Sequence, residues 1–216
     1  MKKLLAKEIR LTANPLSIVF IAFALMTLFP GYPILMDGFF LGLGIFFTYQ
    51  QARECDDVIY TVLLPVRKKD VVTSKYAFVI MIQMANFILC VLLTLLRMTV
   101  LKDAGVYLAN VMMNANLMYL GFLLMVYACF NIFFLGGYFK TAYKQGVPFL
   151  AFSVATFIVI TIGETLSKVP GGQILNATSG VHPVHAVVFA VGVLVYVVGT
   201  WASMIQSIKH FENIDL

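Results

Sequence analysis

Six long apolar segments constrain what this chain can fold into. Each has roughly the 20 residues that a helix needs to cross about 30 Å of hydrocarbon. They cover residues 15–32, 34–51, 76–97, 114–138, 147–166 and 184–206. Only 12% of the residues are charged, about half the charge of a soluble domain. The sequence therefore predicts an all-α, polytopic membrane protein with six transmembrane helices in a single domain, residues 1–216.

The positions of the cations predict the orientation of these spans. With the N-terminus inside, most of the 15 lysines and arginines fall on the cytoplasmic side. They are Lys2, Lys3, Lys7, Arg10, Arg53, Arg67, Lys68, Lys69, Lys75, Lys140, Lys144 and Lys209. Because excess Lys and Arg marks the cytoplasmic side, both termini are expected there, with inner loops at 52–75 and 139–146. The net charge of +5 is thus attributed to topology, and no nucleic-acid partner is expected.

Residues 1–14 predict a short helix ahead of the first span. The apolar residues between Leu4 and Leu11 recur at helical spacing, and the basic residues share the other face. Such a helix is suited to lying in the headgroup layer of the bilayer. A basic N-terminus that is merely solvated and fixes topology is the alternative, and the residues do not decide between the two.

The loop between the second and third spans is rich in charge and predicts a second short helix. Glu54 to Leu64 is long enough for about three turns, with acids where the helix dipole favours them, and Pro65 ends it. Its apolar face consists of Val58, Ile59, Val62 and Leu63. This pattern favours a helix that docks into a groove of a soluble protein, with an ordinary interfacial helix as the alternative.

The end of this loop carries a family resemblance. Its residues are Leu64-Pro65, the basic run Arg67 to Lys69, the pair Val71-Val72, and Lys75-Tyr76 at the start of the third span. This pattern resembles the cytoplasmic loop of six-span permease subunits in the type-2, exporter-like family of ABC transporters. The basic N-terminal helix, the six spans and the polar stretch between the fifth and sixth spans fit the same layout.

The resemblance implies a permease subunit of an ATP-driven exporter. In that family two permease chains pair around a central path, and separate cytoplasmic ABC ATPase subunits dock on a coupling helix. Carried over, Glu54 to Leu64 would be the coupling helix and Leu4 to Leu11 the interface helix. The coupling residues implied are Glu54, Asp56, Asp57, Val58, Ile59, Val62, Leu63, Pro65, Arg67, Lys68 and Lys69. The second permease chain is identical or paralogous, and a bacterial cell membrane is the expected location.

No Gly-x-x-x-x-Gly-Lys phosphate loop occurs in the sequence, so this chain is not expected to bind ATP. The chain is therefore expected not to be an enzyme and to hold no cofactor, with ATP and Mg²⁺ bound by the partner ATPase. No stretch selects a cargo. The lack of a large outer domain favours a small or amphipathic one, such as a peptide or a hydrophobic toxin or antibiotic.

Polar residues inside the predicted spans are candidates for a substrate path. Asn86 and Asn131 are two of them, although asparagines in membrane helices more often hydrogen-bond between helices. Glu164 is a third, because an acid in an apolar run is costly and marks a functional candidate. Its position beside Lys168, near the outer surface, favours a simple ion pair or solvation.

Other chemistries find weaker support in the sequence. The cluster Glu54, Asp56 and Asp57 would suit a membrane-embedded lipid-modifying enzyme that uses a divalent metal, but further ligands at helical spacing are missing. His182 and His185 are separated by Pro183 and lack a nearby third ligand, so no metal site is expected. An ion-coupled carrier would require buried charge at mid-span, for which Glu164 is the one candidate.

Overall fold

Helices make up most of the described part of the chain. The computed structural model describes residues 2–110, 112–141, 144–166, 168–169, 175–177 and 182–214, without the side chains of Lys2 and Val62. Within these ranges the structure is helical and contains no strand. The predicted all-α fold class is confirmed.

Ten α-helices follow one another along the described residues, three of them with an extension of different winding. They are α1 (Lys2–Lys7) with a π-helical extension (Glu8–Thr12), α2 (Pro15–Val19) with a 3₁₀ extension (Phe20–Leu28), α3 (Met36–Glu54), α4 (Asp57–Leu63), α5 (Lys68–Thr99), α6 (Gly105–Leu108), α7 (Leu117–Cys129) with a π-helical extension (Phe130–Leu135), α8 (Gly136–Thr141), α9 (Gly146–Leu166) and α10 (Pro183–Glu212).

Four helices of the described part are long and apolar enough to cross a membrane. They are Lys68–Thr99, Leu117–Thr141, Gly146–Leu166 and Pro183–Glu212, which coincide with the third to sixth predicted spans. A fifth is counted if Lys3–Thr12 and Pro15–Leu28 are taken as one bent span. The second predicted span corresponds to α3, whose apolar run is diluted by Asp37 and by polar residues at its end. The count of six and the cytoplasmic placement of both termini stay predictions.

A sharp bend separates the N-terminal helix from the first predicted span. The two segments meet at 96°, and Asn14 between them has an extended backbone. Its side chain accepts the N–H of Leu16 at 2.9 Å, and Pro15 fills the first helical position, where a missing N–H costs little. The Asn14 N–H donates to Thr48 of α3 at 3.2 Å. The bend thus anchors α1 and its extension against α3 and α5.

The helix from Leu117 to Thr141 is the central one. In its apolar window 72% of the residues are buried, against 33% or fewer in the other three candidate spans. It crosses α10 with the two backbones in contact, because a Cβ on Gly192 would lie 2.3 Å from the carbonyl oxygen of Gly121. Small residues allow such close approach between membrane helices.

Candidate functional site

The predicted short helix of the central loop is present as α4, with different ends. Asp56 adopts a left-handed backbone, φ 51° and ψ 30°, which Asp tolerates better than most residues. This turn assigns Glu54 to the end of α3 and begins α4 at Asp57, three residues later than predicted. The helix ends at Leu63, because Leu64 is extended ahead of Pro65, as the residue before a proline prefers.

The two sides of α4 have different environments. Val58 and Thr61 are buried, whereas Ile59, Tyr60 and Leu63 are 41%, 65% and 80% exposed. The predicted apolar face is therefore corrected. Val58 packs inside the chain and is not available to a partner, and the Val62 side chain lies outside the described residues. Ile59, Tyr60 and Leu63 form the surface that we call the α4 outer face.

Four charged side chains tie the inner side of α4 to α1 and α5. The Lys75 ammonium lies 2.9 Å from Asp57 Oδ2 and 3.1 Å from Glu8 Oε2. Lys7 pairs with Asp57 Oδ1 and lies 3.2 Å from Glu8 Oε1. We call these four residues the charge cluster. Its two cations and two anions balance, and the Lys75 and Glu8 side chains are each only 2% exposed.

Further hydrogen bonds hold α4 at the charge cluster, through Asp57 and the neighbouring Thr61. Lys7 Nζ donates to Thr61 Oγ1 at 2.8 Å, and Thr12 Oγ1 donates to Asp57 Oδ1 at 3.4 Å. Burial alone would raise the pKa of Asp57, but the ammoniums of Lys75 and Lys7 outweigh it and hold the pKa below its ordinary value. Asp57 is thus an anion at neutral pH. Buried ion pairs of this kind can specify one arrangement even where they add little net stability.

The basic turn after α4 divides into two parts. Pro65, Arg67 and Lys69 are exposed. Lys68 instead donates to the carbonyl oxygens of Ile214, at 2.6 Å, and Glu212, at 3.4 Å. A lysine that binds the last carbonyls of a helix also complements the helix dipole. Lys68 therefore connects the loop to the end of α10, whereas the Arg67 and Lys69 side chains are exposed.

The acids of the loop do not assemble into a metal site. Glu54 and Asp56 are exposed, whereas Asp57 is held in the charge cluster. Among the residues that the structure describes, no group of three or more His, Cys, Asp or Glu is placed to hold a metal. His182 is exposed and His185 is buried, with ring centroids 6.3 Å apart.

Asn131, a candidate for the substrate path, is fully buried in contacts between helices. Asn131 and Gln83 exchange two amide hydrogen bonds of 3.0 and 3.1 Å. Asn131 Nδ2 also donates to Thr200 at 2.9 Å, and the backbone carbonyl oxygen of Asn131 accepts the Ser203 hydroxyl at 2.7 Å. These bonds join α5, the π-helical extension of α7, and α10. In this conformation Asn131 contributes to packing inside one chain.

Asn86 and Glu164, the other two candidates for the path, are also held by their own chain. Asn86 donates to the Ile21 carbonyl at 3.2 Å and to Asp37 at 3.0 Å. Glu164 accepts the N–H of Met113 at 2.9 Å and is largely buried. Glu164 thus fastens the segment that precedes α7 to the end of α9.

Reasoning from the sequence missed two buried acids, Glu8 and Asp37. Glu8 is an acid in an otherwise basic N-terminal stretch, and Asp37 interrupts the apolar run 34–51. Both features are readable in the sequence, since charged residues are almost never buried unless paired and ionisable residues within a span mark functional candidates. Their partners are not readable, because Glu8 pairs with Lys75, 67 residues away in the chain.

These features define a multi-pass, all-helical membrane protein. Residues 3–212 match the family model described as "ABC-2 family transporter protein". The chain belongs to this family and is a permease component of the ABC transporter class, as the pattern at Leu64 to Tyr76 predicted. No curated protein and no solved structure matches the chain.

Proposed function

We propose that this chain is the permease subunit of an ATP-driven exporter in a bacterial cell membrane. It pairs with a second permease chain, identical or paralogous, and is driven by separate cytoplasmic ABC ATPase subunits. ATP and Mg²⁺ are bound by those ATPase subunits, and this chain carries out no catalysis. Its cargo is a small or amphipathic molecule, such as a peptide or a hydrophobic toxin or antibiotic.

The observation that carries the proposal is the two-sided environment of α4. Its outer face offers Ile59, Tyr60 and Leu63, with Arg67 and Lys69 exposed after it. Its inner side is fixed by the charge cluster. A short helix that is held in place on one side and exposes apolar side chains on the other suits docking into a groove of a partner protein. A few central side chains supply most of the energy of such a contact, and tyrosine and arginine are among the commonest of them.

The charge cluster gives a route for motion from α4 into the membrane. A displacement of α4 moves Asp57, which is paired with Lys75 of α5 and with Lys7 of α1. The helix α5 continues as the third predicted span, and α1 leads through the bend at Asn14 to the first. Packed helices switch between discrete arrangements, so a push on α4 acts on two spans at once.

The test compares co-purification of the ATPase with two variants of the full chain. Leu63→Asp places a charge on the α4 outer face, and Leu108→Asp places one at another exposed apolar position, in α6 on the predicted outer side. We expect Leu63→Asp to reduce the co-purified ATPase about tenfold or more, which corresponds to about 1.4 kcal/mol. Leu108→Asp should retain the wild-type amount.

Two outcomes would contradict the proposal. One is a wild-type preparation, made in mild detergent from the native cells, that carries no ATPase. The other is a Leu63→Asp chain that keeps the wild-type amount of ATPase, which would show that the α4 outer face is not the docking site. Val58→Asp is not informative for docking, because Val58 is buried in the chain itself.

A further inference from the structure

Asp37 is a buried acid that the proposed coupling mechanism does not use. It lies in the first turn of α3, within the second predicted span, and is 0% exposed. Its Oδ1 accepts the Asn86 amide at 3.0 Å. Its Oδ2 lies 3.1 Å from Cys90 Sγ, and a thiol is a weak hydrogen-bond donor. These are neutral groups.

The groups that face Asp37 from the neighbouring helices bring no positive charge. The titratable group in direct contact with Asp37 is the Cys90 thiol of α5. Tyr119 and Tyr127 of α7 bind the residues that contact Asp37: Tyr119 donates to Cys90 Sγ at 3.5 Å, and Tyr127 donates to Asn86 Oδ1. Within the described residues, the ion pairs are those of the charge cluster and do not include Asp37. The guanidinium of this region, Arg97, donates instead to the Thr27 carbonyl at 2.7 Å.

An ionised carboxyl group is costly in these surroundings. Moving an ion out of water without a counter-ion is so unfavourable that buried carboxyl groups take up a proton instead. The start of α3 favours an anion through the helix dipole, but that effect is smaller than the loss of hydration. A protonated Oδ2 could also donate its O–H to Cys90 Sγ, which is otherwise a poor partner for an anion.

We propose that Asp37 is a proton-binding site within the predicted membrane part of the permease, and that its carboxyl holds a proton at neutral pH in this conformation. The site lies at the start of the second predicted span, in the first turn of α3. It is separate from α4, so it stands or falls independently of ATPase docking.

The presence or absence of the proton on Asp37 affects how the first predicted span packs against the others. The same Asn86 Nδ2 donates to Asp37 Oδ1 and, at 3.2 Å, to the carbonyl of Ile21 in the 3₁₀ extension of α2. Loss of the proton would place an unpaired anion at the junction of α2, α3 and α5. Water would then have to enter, and the first span would separate from the third.

Infrared spectroscopy of the full chain in lipid nanodiscs tests for the proton directly. Wild type at neutral pH should show the carbonyl stretching band of a protonated carboxyl group, and Asp37→Asn should lose it. Asp56→Asn, the same substitution at an exposed position, should keep it. A spectrum in which Asp37→Asn removes only carboxylate signal would overturn the proposal. If Asp37→Asn does not assemble, wild type labelled with ¹³C-aspartate is measured instead. The carbonyl band must then shift, and a band that does not shift would overturn the proposal.

A second measurement tests the link to packing. The midpoint of thermal unfolding should fall in wild type as the pH rises from about 3.9, where an unfolded aspartate loses its proton, to the pH at which the band disappears, and should level off above it, because over that range only the folded state keeps the proton. Asp37→Asn should not show this fall. An equal fall in the variant would show that Asp37 is not responsible.

Discussion

At the scale of single residues, the charge cluster determines how α4 is held. Lys7, Glu8, Asp57 and Lys75 come from three helices and form one neutral group. Each carboxylate has two ammonium partners in the cluster, so no member can be removed without leaving a buried charge under-compensated.

Lys75→Met should destabilise the protein strongly. The substitution keeps the length of the side chain but leaves Asp57 and Glu8 to share Lys7 alone, and breaking a buried pair on one side costs about 3–5 kcal/mol. The midpoint of thermal unfolding in detergent should fall accordingly. Lys69→Met, at an exposed position of the same helix, is the control and should change stability by about 0.5 kcal/mol or less. Similar midpoints for the two variants would show that the cluster does not stabilise the fold.

Acid should release α1 from α4 through Asp57. The folded pKa of Asp57 lies below its ordinary value of 3.8, so Asp57 stabilises the contact above that pH and loses this contribution as the pH falls toward the folded pKa. Amide hydrogen exchange of α1 and its extension should therefore quicken, after correction for intrinsic rates, below about pH 4. Asp57→Asn should show fast exchange already at neutral pH. Slow exchange in that variant would mean that other contacts hold α1.

At the scale of helices, hydropathy predicts where the long apolar helices lie, and their crossing of the membrane stays a prediction. The helices α5, α9 and α10 occupy the third, fifth and sixth predicted spans, because a long apolar run has few alternatives to a membrane helix. The helix α4 was predicted less accurately. Its start depends on the left-handed backbone of Asp56, and its buried side depends on partners distant in the chain. A two-turn helix has too few residues for spacing to identify its buried side.

The crossing of α7 and α10 gives the prediction at this scale. Gly192→Ala would put a methyl group 2.3 Å from the Gly121 carbonyl oxygen, so the two helices must move apart. Overpacking of this kind costs about 1–3 kcal/mol, and we expect a lower midpoint of thermal unfolding. Gly146→Ala is the matched control, because its added Cβ meets nothing within 4 Å. A Gly192→Ala protein as stable as Gly146→Ala would contradict the close crossing.

At the scale of the whole molecule, the membrane class and the family were predictable, whereas the polar contacts between residues distant in the chain were not. The apolar runs and the pattern from Leu64 to Tyr76 were sufficient for the class and the family, which the match over residues 3–212 confirms. The contact between Lys7 and Thr61 joins residues 54 positions apart. Nothing in local composition predicts such a pair, and the same holds for Asp37 with Cys90, 53 positions apart.

The central claim is that the α4 outer face is where a cytoplasmic ATPase docks on this permease. Photo-cross-linking in the native cells tests it most directly, with a photoreactive phenylalanine derivative in place of Tyr60. The control carries the same group in place of Tyr32, an exposed tyrosine of the turn between the first two predicted spans. We predict that position 60 cross-links to an ATP-binding subunit and that position 32 does not. Cross-links from position 60 to lipid alone, or to the same protein from both positions, would contradict the account.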